Sequence, residues 1–584
     1  MSYRHRRTLL GVLLAVVLVG AYFGRIGGYA LQDPDEGRYA EISRAMAVSG
    51  DWLTPTLHHV KYFDKPPLLY WLVAASFKVV GVSEGAARAV PAGAGVLTLL
   101  ITFVLGRSMF GARPAVLGAL LLATTPLFFV FAQALTIDML LTATMTANMS
   151  ALWAFRKSSH PQRWALVVAA TAALGVLAKG LVAVVLPGLT MLAFLLYRGE
   201  LRALGGLLGL RPILLFIGLG VPWFVAISWS SPEFAHYFFV TQHVERFATA
   251  AVGHPEGPLF YVPVLAGGAL PWTLVVAAVV WARGGVSWRV RDDASDFLLL
   301  WAVVVLFFFS AARSKLPAYI LPAFPPLALL AGRLLSTDDD RDSVDVVARR
   351  VVHGFAFLGG SLTFLAAVTL HSRAPSATAS DAIPATSPWS YEHHSSPDSA
   401  SQRSRSSSPD PGSTSDVLQL GASAQSPAAA PPCFSLQSRR APFVKNSRDV
   451  GTAVRALYTP GDVLVSYRRL LHGLPFYSDL RPIHAVGYGE LDFGSRHTSG
   501  SEEFFWADRS RVVEAWGSGR RVFVVTTRKH EPELLDALQP SPHVLVRDAD
   551  RVVLVNFTAP RDGTGPTGAD AARRAGATTD GPGD

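Results

Sequence analysis

Long apolar runs alternate with short polar connectors through the first 370 residues, and the period of the pattern is that of membrane helices. A spanning helix takes about 20 mostly apolar residues. Runs of that kind lie near 8–30, 86–106, 114–133, 135–155, 163–179, 181–197, 211–230, 259–281, 296–312, 316–334 and 351–370. The run 135–155 is polar for a span. The segment 31–85 is too long for a connector. Within it, Tyr39, Ile42 and Met46, and later Leu69, Leu72, Val73 and Phe77, recur at near-helical spacing, which predicts helices lying on the membrane.

Beyond residue 370 the pattern changes. Residues 371–442 are rich in Ser, Ala and Pro, with too few large apolar groups to offset chain entropy, so a disordered linker is expected. Residues 443–557 read as a small α/β domain. Val463-Leu464-Val465, Val522-Phe523-Val524-Val525 and Val552-Val553-Leu554-Val555 predict buried strands, and 531–538 predicts a helix between the last two. The Gly-, Ala- and Thr-rich stretch 558–584 reads as a disordered tail.

Composition agrees with a polytopic membrane protein: 50% hydrophobic residues, 16% charged, mean hydropathy +0.32. The net charge of +9 does not point to nucleic acid, because the Arg residues sit in short loops between apolar runs. One cysteine, Cys433, excludes an intramolecular disulfide framework. Arg4, Arg6 and Arg7 precede the first apolar run, and no clear small-x-small cleavage site follows it. An uncleaved first span is expected.

The positive-inside rule then orients the chain. The N-terminal arginines, Arg107 and Arg113, Arg156, Lys157 and Arg163, Arg198 and Arg202, and Arg283 and Arg289 fall on one side, the cytoplasmic one. The loops 31–85 and 231–258 and the turns near 134–138, 179–181 and 312–317 fall on the other. That outer side gathers Asp35, Glu36, Asp64, Lys65, Asp138, Lys179, His236, His243, Glu245, Arg246, Arg313 and Lys315. Cations there break the rule, and each is a candidate for holding an anion such as a lipid phosphate. The bland reading is snorkelling to headgroups. Asp138 resists a bland reading, since a charge at a span centre costs about 2.5–3.5 kcal/mol. Asp35 and Glu36 also suit the first turn of a helix, which is compatible with a catalytic role. The pair His58-His59 is by itself a poor metal signal; His243 with Glu245 is somewhat better.

Two stretches carry a resemblance. Pro34-Asp35-Glu36-Gly37-Arg38-Tyr39-Ala40-Glu41-Ile42 with Ser49-Gly50-Asp51-Trp52, and Tyr62-Phe63-Asp64-Lys65-Pro66-Pro67-Leu68-Leu69-Tyr70-Trp71, resemble the aminoarabinose (lipid A) transferase-like family. Lys179-Gly180, Phe234-Ala235-His236-Tyr237, His243-Val244-Glu245-Arg246-Phe247, Leu270-Pro271-Trp272 and Ser314-Lys315-Leu316-Pro317-Ala318-Tyr319 extend it over about residues 10–335. The family comprises glycosyltransferases of the GT-C fold, related to protein O-mannosyltransferases. The resemblance implies a polyprenyl phosphate-linked sugar donor and a lipid A-like, glycan or protein acceptor. It also implies an active site and C-terminal domain at the outer face of a bacterial inner membrane. Asp35 matches the principal catalytic carboxylate and Asp138 a second functional aspartate, with Glu36 as a secondary candidate. Lys65, Lys179 and Arg246 match donor-phosphate contacts, Tyr62 and Tyr319 match tyrosines near that site, and Lys315 is a further cation for it. Asp64 stands where better-known members carry a metal-associated Glu; with His243 it is the candidate ligand of a divalent metal, the one cofactor implied. No Gly-rich phosphate loop is present between a strand and a helix, so no nucleotide-sugar site is expected.

Two other classes compete. A lipid or sugar transporter also places charges at helix ends, but calls for matching internal repeats, and none is evident. A receptor whose function lies in 443–557 leaves the outer charge set unexplained.

Overall fold

Most of the apolar runs become helices in the computed structural model, which describes residues 16–245, 256–282, 292–336, 447–487, 489–548 and 550–558. The run 351–370, the Ser/Pro-rich segment 371–442, the tail beyond 558 and Arg246 lie outside the described residues. The first run is helical over 16–23 of its described part.

The segment 31–85 folds into α1 (Asp35–Ser49), a two-strand ribbon of β1 (Thr56–Leu57) and β2 (Val60–Lys61), and α2 (Leu68–Val80). The membrane part continues with α3 (Glu84–Phe110), α4 (Ala112–Ala123), α5 (Pro126–Gln133), α6 (Ile137–Lys157), α7 (Pro161–Lys179) and α8 (Val182–Arg198). It ends with α9 (Leu210–Gly220), α10 (Pro222–Ser230), α11 (Tyr261–Gly268), α12 (Trp272–Ala282), α13 (Asp293–Ala311) and α14 (Phe324–Ser336). Local chemistry sets several starts. The Ser83 hydroxyl accepts from the Ala86 amide at α3, and Asp292 accepts from the Ser295 amide at α13.

Among the described residues, four helical stretches are long and apolar enough to cross a membrane, or seven if each bent pair is one span. This is fewer than the sequence pattern suggests, partly because several expected spans are broken. The run 114–133 bends by 62° between α4 and α5, and 259–281 bends by 94° between α11 and α12. Pro126 opens α5, and proline cannot donate to the turn before it. The polar run 135–155 is nevertheless one helix, α6. Its polar groups find partners on α7: the Asn148 amide donates to the Val168 carbonyl at 2.8 Å and to the Thr171 hydroxyl at 3.0 Å, and Asp138 pairs with Lys179.

At one end of the bundle Arg156, Arg198 and Lys157 converge on Asp293, with Glu200 and Asp296 completing the cluster. These are the loops assigned to the cytoplasmic side. Asp138 lies at the opposite end of α6 from Arg156, and there it pairs with Lys179 at the end of α7.

The C-terminal region consists of α15 (Arg448–Leu457), β3 (Val463–Tyr467), α16 (Leu474–Ser478), β4 (His484–Val486), α17 (Asp492–Arg496), β5 (Phe505–Trp506), α18 (Ser510–Gly517), β6 (Val522–Thr527), α19 (Glu531–Ala537), β7 (His543–Arg547) and β8 (Arg551–Val555). The six strands form one sheet in the order β5-β4-β3-β6-β8-β7. The first four are parallel, and β8 and β7 are antiparallel additions. Separate apolar layers cover its two faces, one around Trp516 and Leu534, the other around Val450 and Phe523. The three strands and the helix expected from sequence are present. β4 and β5 are additions of three and two residues, too short to signal, and β7 is a further strand that was not expected although its Val544-Leu545-Val546 repeats the apolar pattern of β3.

This domain sits on the segment 31–85. Phe476, Tyr477, Leu491 and Phe505 belong to the same apolar cluster as Tyr39, Ile42, Leu69 and Val73. The expectation of surface-lying helices is therefore corrected for α1: Glu36, Arg38, Glu41 and Arg44 are buried along with its apolar residues. Its polar face meets protein, not headgroups. Glu41 bonds Arg44 and Arg481, and Arg44 reaches Asp479 at 2.9 Å.

Candidate functional site

Asp35 opens α1, where a carboxylate is favoured by the unpaired amides of the first turn. Its side chain is 53% exposed, and Arg38, one turn on, donates to its Oδ1. Arg38 Nη1 also donates to the Tyr62 hydroxyl at 3.2 Å. That hydroxyl in turn donates to Asp64 Oδ2 at 3.2 Å. The other Asp64 oxygen accepts from the Tyr237 hydroxyl at 2.6 Å, and Gln242 donates to Tyr237 at 2.9 Å. A continuous polar chain thus runs from the exposed Asp35 to the 237–242 segment. Lys65 lies beside it, its ammonium donating to the Asp64 carbonyl at 3.1 Å.

A second cluster stands at the ends of α6 and α7. Asp138, in the first turn of α6, pairs with Lys179, the last residue of α7. Both side chains are 13% exposed. The Lys179 ammonium lies 4.2 Å from the centre of the Tyr319 ring, a cation–π contact. Tyr39 joins the clusters. Burial pushes its hydroxyl pKa up, Arg38 opposes, and the nearby carboxylates of Asp35, Asp138 and Asp64 add to the rise. Those three aspartates are drawn from α1, the loop before α2, and α6, and the field of all three reaches this phenol. Tyr62 is likewise held protonated, chiefly by burial and then by Asp64. The Tyr70 hydroxyl is buried with no hydrogen-bond partner among the described residues.

Two sequence candidates prove to be structural. Glu36 is buried, and both its oxygens are taken. Arg88 donates to Oε1 at 2.8 Å and to Oε2 at 2.7 Å, the Leu135 amide donates to Oε1 at 2.8 Å, and the Gln32 amide to Oε2 at 2.8 Å. It ties α1 to α3 and to the start of α6, and has no lone pair to offer an acceptor. Lys315 is also buried. Its ammonium points back at the end of α13, donating to the carbonyls of Ala312 and, at 2.9 Å, Glu256. A cation at a helix C-terminus is what the dipole favours. Glu36 has no oxygen left for an acceptor, and the Lys315 ammonium is directed at these carbonyls.

Asp64 is the described member of the candidate metal pair. Both of its oxygens are engaged by tyrosines, and among the described residues no group of three or more His, Cys, Asp or Glu is placed to hold a metal. The His243 side chain lies outside what is described, as does Arg246.

Sequence reasoning gave Arg38 and Tyr237 no role and passed over Arg88. Arg88 left a signal: an arginine in an apolar helix demands a partner. Arg38 left a weaker one, its i,i+3 spacing from Asp35.

Comparison with known proteins bears on this geometry. A family model described as dolichyl-phosphate-mannose-protein mannosyltransferase matches residues 64–223. The undecaprenyl phosphate-alpha-4-amino-4-deoxy-L-arabinose arabinosyl transferase 1 of Sodalis glossinidius (strain morsitans) is 38% identical over 328 residues, 54% of this chain and 57% of its own length. The transferase of the same description without the number from Edwardsiella ictaluri (strain 93-146) is 34% identical over 321 residues, 54% of this chain and 58% of its own. The match thus spans a little over half the length of each relative. Among solved structures, ArnT from Cupriavidus metallidurans bound to undecaprenyl phosphate superposes with a TM-score of 0.71 at 24% identity, covering 95% of this chain and 100% of that one. That likeness shows the fold: a polytopic helical membrane protein of the GT-C type with a C-terminal α/β region.

Proposed function

We propose, from the premise that this chain is an aminoarabinose transferase-like protein of the GT-C fold, that it moves a sugar from a polyprenyl phosphate-linked donor to a lipid, glycan or protein acceptor. The reaction takes place at the outer face of a bacterial inner membrane. The observation that carries the reading is the meeting of an exposed carboxylate, Asp35, with a cation site built from Lys179, Asp138 and Tyr319 at the same end of the bundle. The likeness to undecaprenyl phosphate-aminoarabinose transferases favours an undecaprenyl carrier and an aminopentose as the transferred group.

The acceptor hydroxyl oxygen attacks the anomeric carbon as the bond from that carbon to the donor phosphate oxygen breaks. The bonding pair leaves with the phosphate. Negative charge grows there, and a fixed cation stabilises the transition state more than the ground state. Lys179 is the cation in this reading, with Lys65 and Arg246 assisting, and Tyr319 holding the ammonium in place. Asp138 balances Lys179 while no phosphate is bound. Asp35 takes the proton of the acceptor hydroxyl, oriented by Arg38. If the acceptor is itself a phosphate, no base is needed and Asp35 positions it. One displacement at the anomeric carbon inverts its configuration.

The test is transfer from a panel of radiolabelled polyprenyl phosphate-sugars in membranes bearing the protein, beside Asp35→Asn. The expected result is transfer from one donor by the parent and a loss of about 10²–10⁴-fold in the variant, the usual span for a general base. Full transfer by a well-folded Asp35→Asn would remove Asp35 from the chemistry.

A further inference from the structure

In an open sheet of parallel strands, ligands bind outside the carboxyl ends of the strands, where the strand order reverses. Here that point lies between β3 and β6. The chain runs outward from β3 to β4 and β5, then returns to place β6 on the other side of β3. What occupies the edge beside this point is a side chain of the membrane part, Asp33.

Three elements close around its carboxylate. The Gly473 amide, in the loop that follows β3, donates to Oδ1 at 2.8 Å. Arg551, which opens β8 opposite the last residue of β6, donates to Oδ2 at 3.1 Å. The Ser447 hydroxyl donates to the same oxygen. Ser447 stands at the N-cap of α15, where a serine ordinarily accepts from its own helix; here its side chain makes no such cap. The helix N-terminus and the arginine both favour an anion. The ion pair is closed to solvent, with Arg551 1% and Asp33 5% exposed. Backbones meet at the same place. A Cβ on Gly37 would lie 2.6 Å from the Gly473 nitrogen and 2.8 Å from its Cα.

Asp33 lies two residues before Asp35, at the entrance to α1. We propose that Asp33 is a positioning residue, and that the α/β domain uses the carboxyl edge of its sheet as a clamp that holds Asp33 and thereby aims the first turn of α1, with Asp35, at the acceptor. The domain then acts through a buried anion cradle rather than by contributing a reacting group. The inference rests on the proposed transferase reading.

The test uses full-length Asp33→Asn, Arg551→Met, their combination, and the milder Ser447→Ala. Three quantities are read: polyprenyl phosphate binding stoichiometry and affinity, turnover per binding site, and amide hydrogen exchange over residues 31–38. The clamp predicts binding within about twofold of the parent. It predicts turnover per site lower by about 10- to 100-fold, the cost of misplacing a reacting group. The double variant should fall no further than the lower single, because the pair acts as one unit. Exchange over 31–38 should quicken in both single variants, and Arg551→Lys should restore part of the turnover. Ser447→Ala should show a smaller loss in the same direction, and it decides the matter if the other variants do not fold. Unchanged turnover per site and unchanged exchange would overturn the proposal, as would turnover falling only in proportion to binding sites. If the parent itself transfers no sugar from any donor, the transferase reading fails, while exchange over 31–38 still decides the clamp.

Discussion

Asp35, Asp64 and Asp138 are all aspartates at one end of the bundle, yet their surroundings give them different work. Asp35 is open to solvent and held by one arginine; Asp64 is engaged by two phenols; Asp138 faces a lysine. Lys179→Met should therefore cost about 10²–10³-fold in transfer per folded molecule, the usual loss when a transition-state charge partner is removed. Steady-state kinetics with the preferred donor would check this, and a loss under threefold would take Lys179 out of the charge-stabilising role. Arg88→Met should act differently. It leaves Glu36 buried without its bidentate partner, and breaking such a pair costs about 3–5 kcal/mol. The expected outcome is a sharp fall in folded yield and thermal midpoint in detergent, with turnover per surviving site close to the parent's.

At the scale of elements, α1 is the piece on which the membrane part and the sheet domain meet. Its first turn bears the candidate base, and its flank packs against the loop before α16. Gly37 permits that approach, since a Cβ there would sit 2.6 Å from the Gly473 amide nitrogen. The same occurs at Gly494 in α17, where a Cβ would lie 2.2 Å from the Lys61 carbonyl oxygen of the ribbon. Gly37→Ala should thus destabilise by about 1–3 kcal/mol, the typical cost of overpacking. A lower thermal midpoint with quickened proteolysis near residue 473 would be the signature. An unchanged midpoint would mean that the loop gives way at little cost. The chain's apolar periodicity made α3, α6, α7 and α13 legible within a few residues. It did not show the bends between α4 and α5 or between α11 and α12, because a bend depends on what neighbouring helices offer the freed backbone groups.

For the whole molecule, the contact between the two parts carries a pH dependence. His59, in the turn of the ribbon, stacks on Phe504 of the sheet domain with ring centres 4.9 Å apart. Its Nε2 is buried with no hydrogen-bond partner among the described residues. Burial lowers its pKa, with Glu41 opposing more weakly. A histidine whose folded pKa is depressed contributes stability above its unfolded value, about 6.5, and that contribution is lost as pH falls below it. The thermal midpoint should accordingly drop on acidification from pH 7 to about 5. His59→Asn, which suits the φ of 68° at this position, should show a smaller drop. Equal drops in both proteins would place the titration elsewhere.

The apolar rhythm of the chain dictated a polytopic helical protein with an α/β region after it, because water and lipid impose that partition on any backbone with these runs. The family motifs were legible too, since Asp35, Asp138 and Lys179 stand at helix ends where hydrophobicity alone would not put them. Tertiary structure decided which charges are spent on holding the fold. Glu36 and Lys315 look like chemistry along the chain, but the Glu36 oxygens are taken by Arg88, Leu135 and Gln32, and the buried Lys315 ammonium is turned to the carbonyls of Ala312 and Glu256. Asp33 heads the same carboxylate run but received no role of its own, for the same reason. Its partners, Ser447, Gly473 and Arg551, lie more than 400 residues away, and no local pattern records a contact that exists only once the sheet domain has docked.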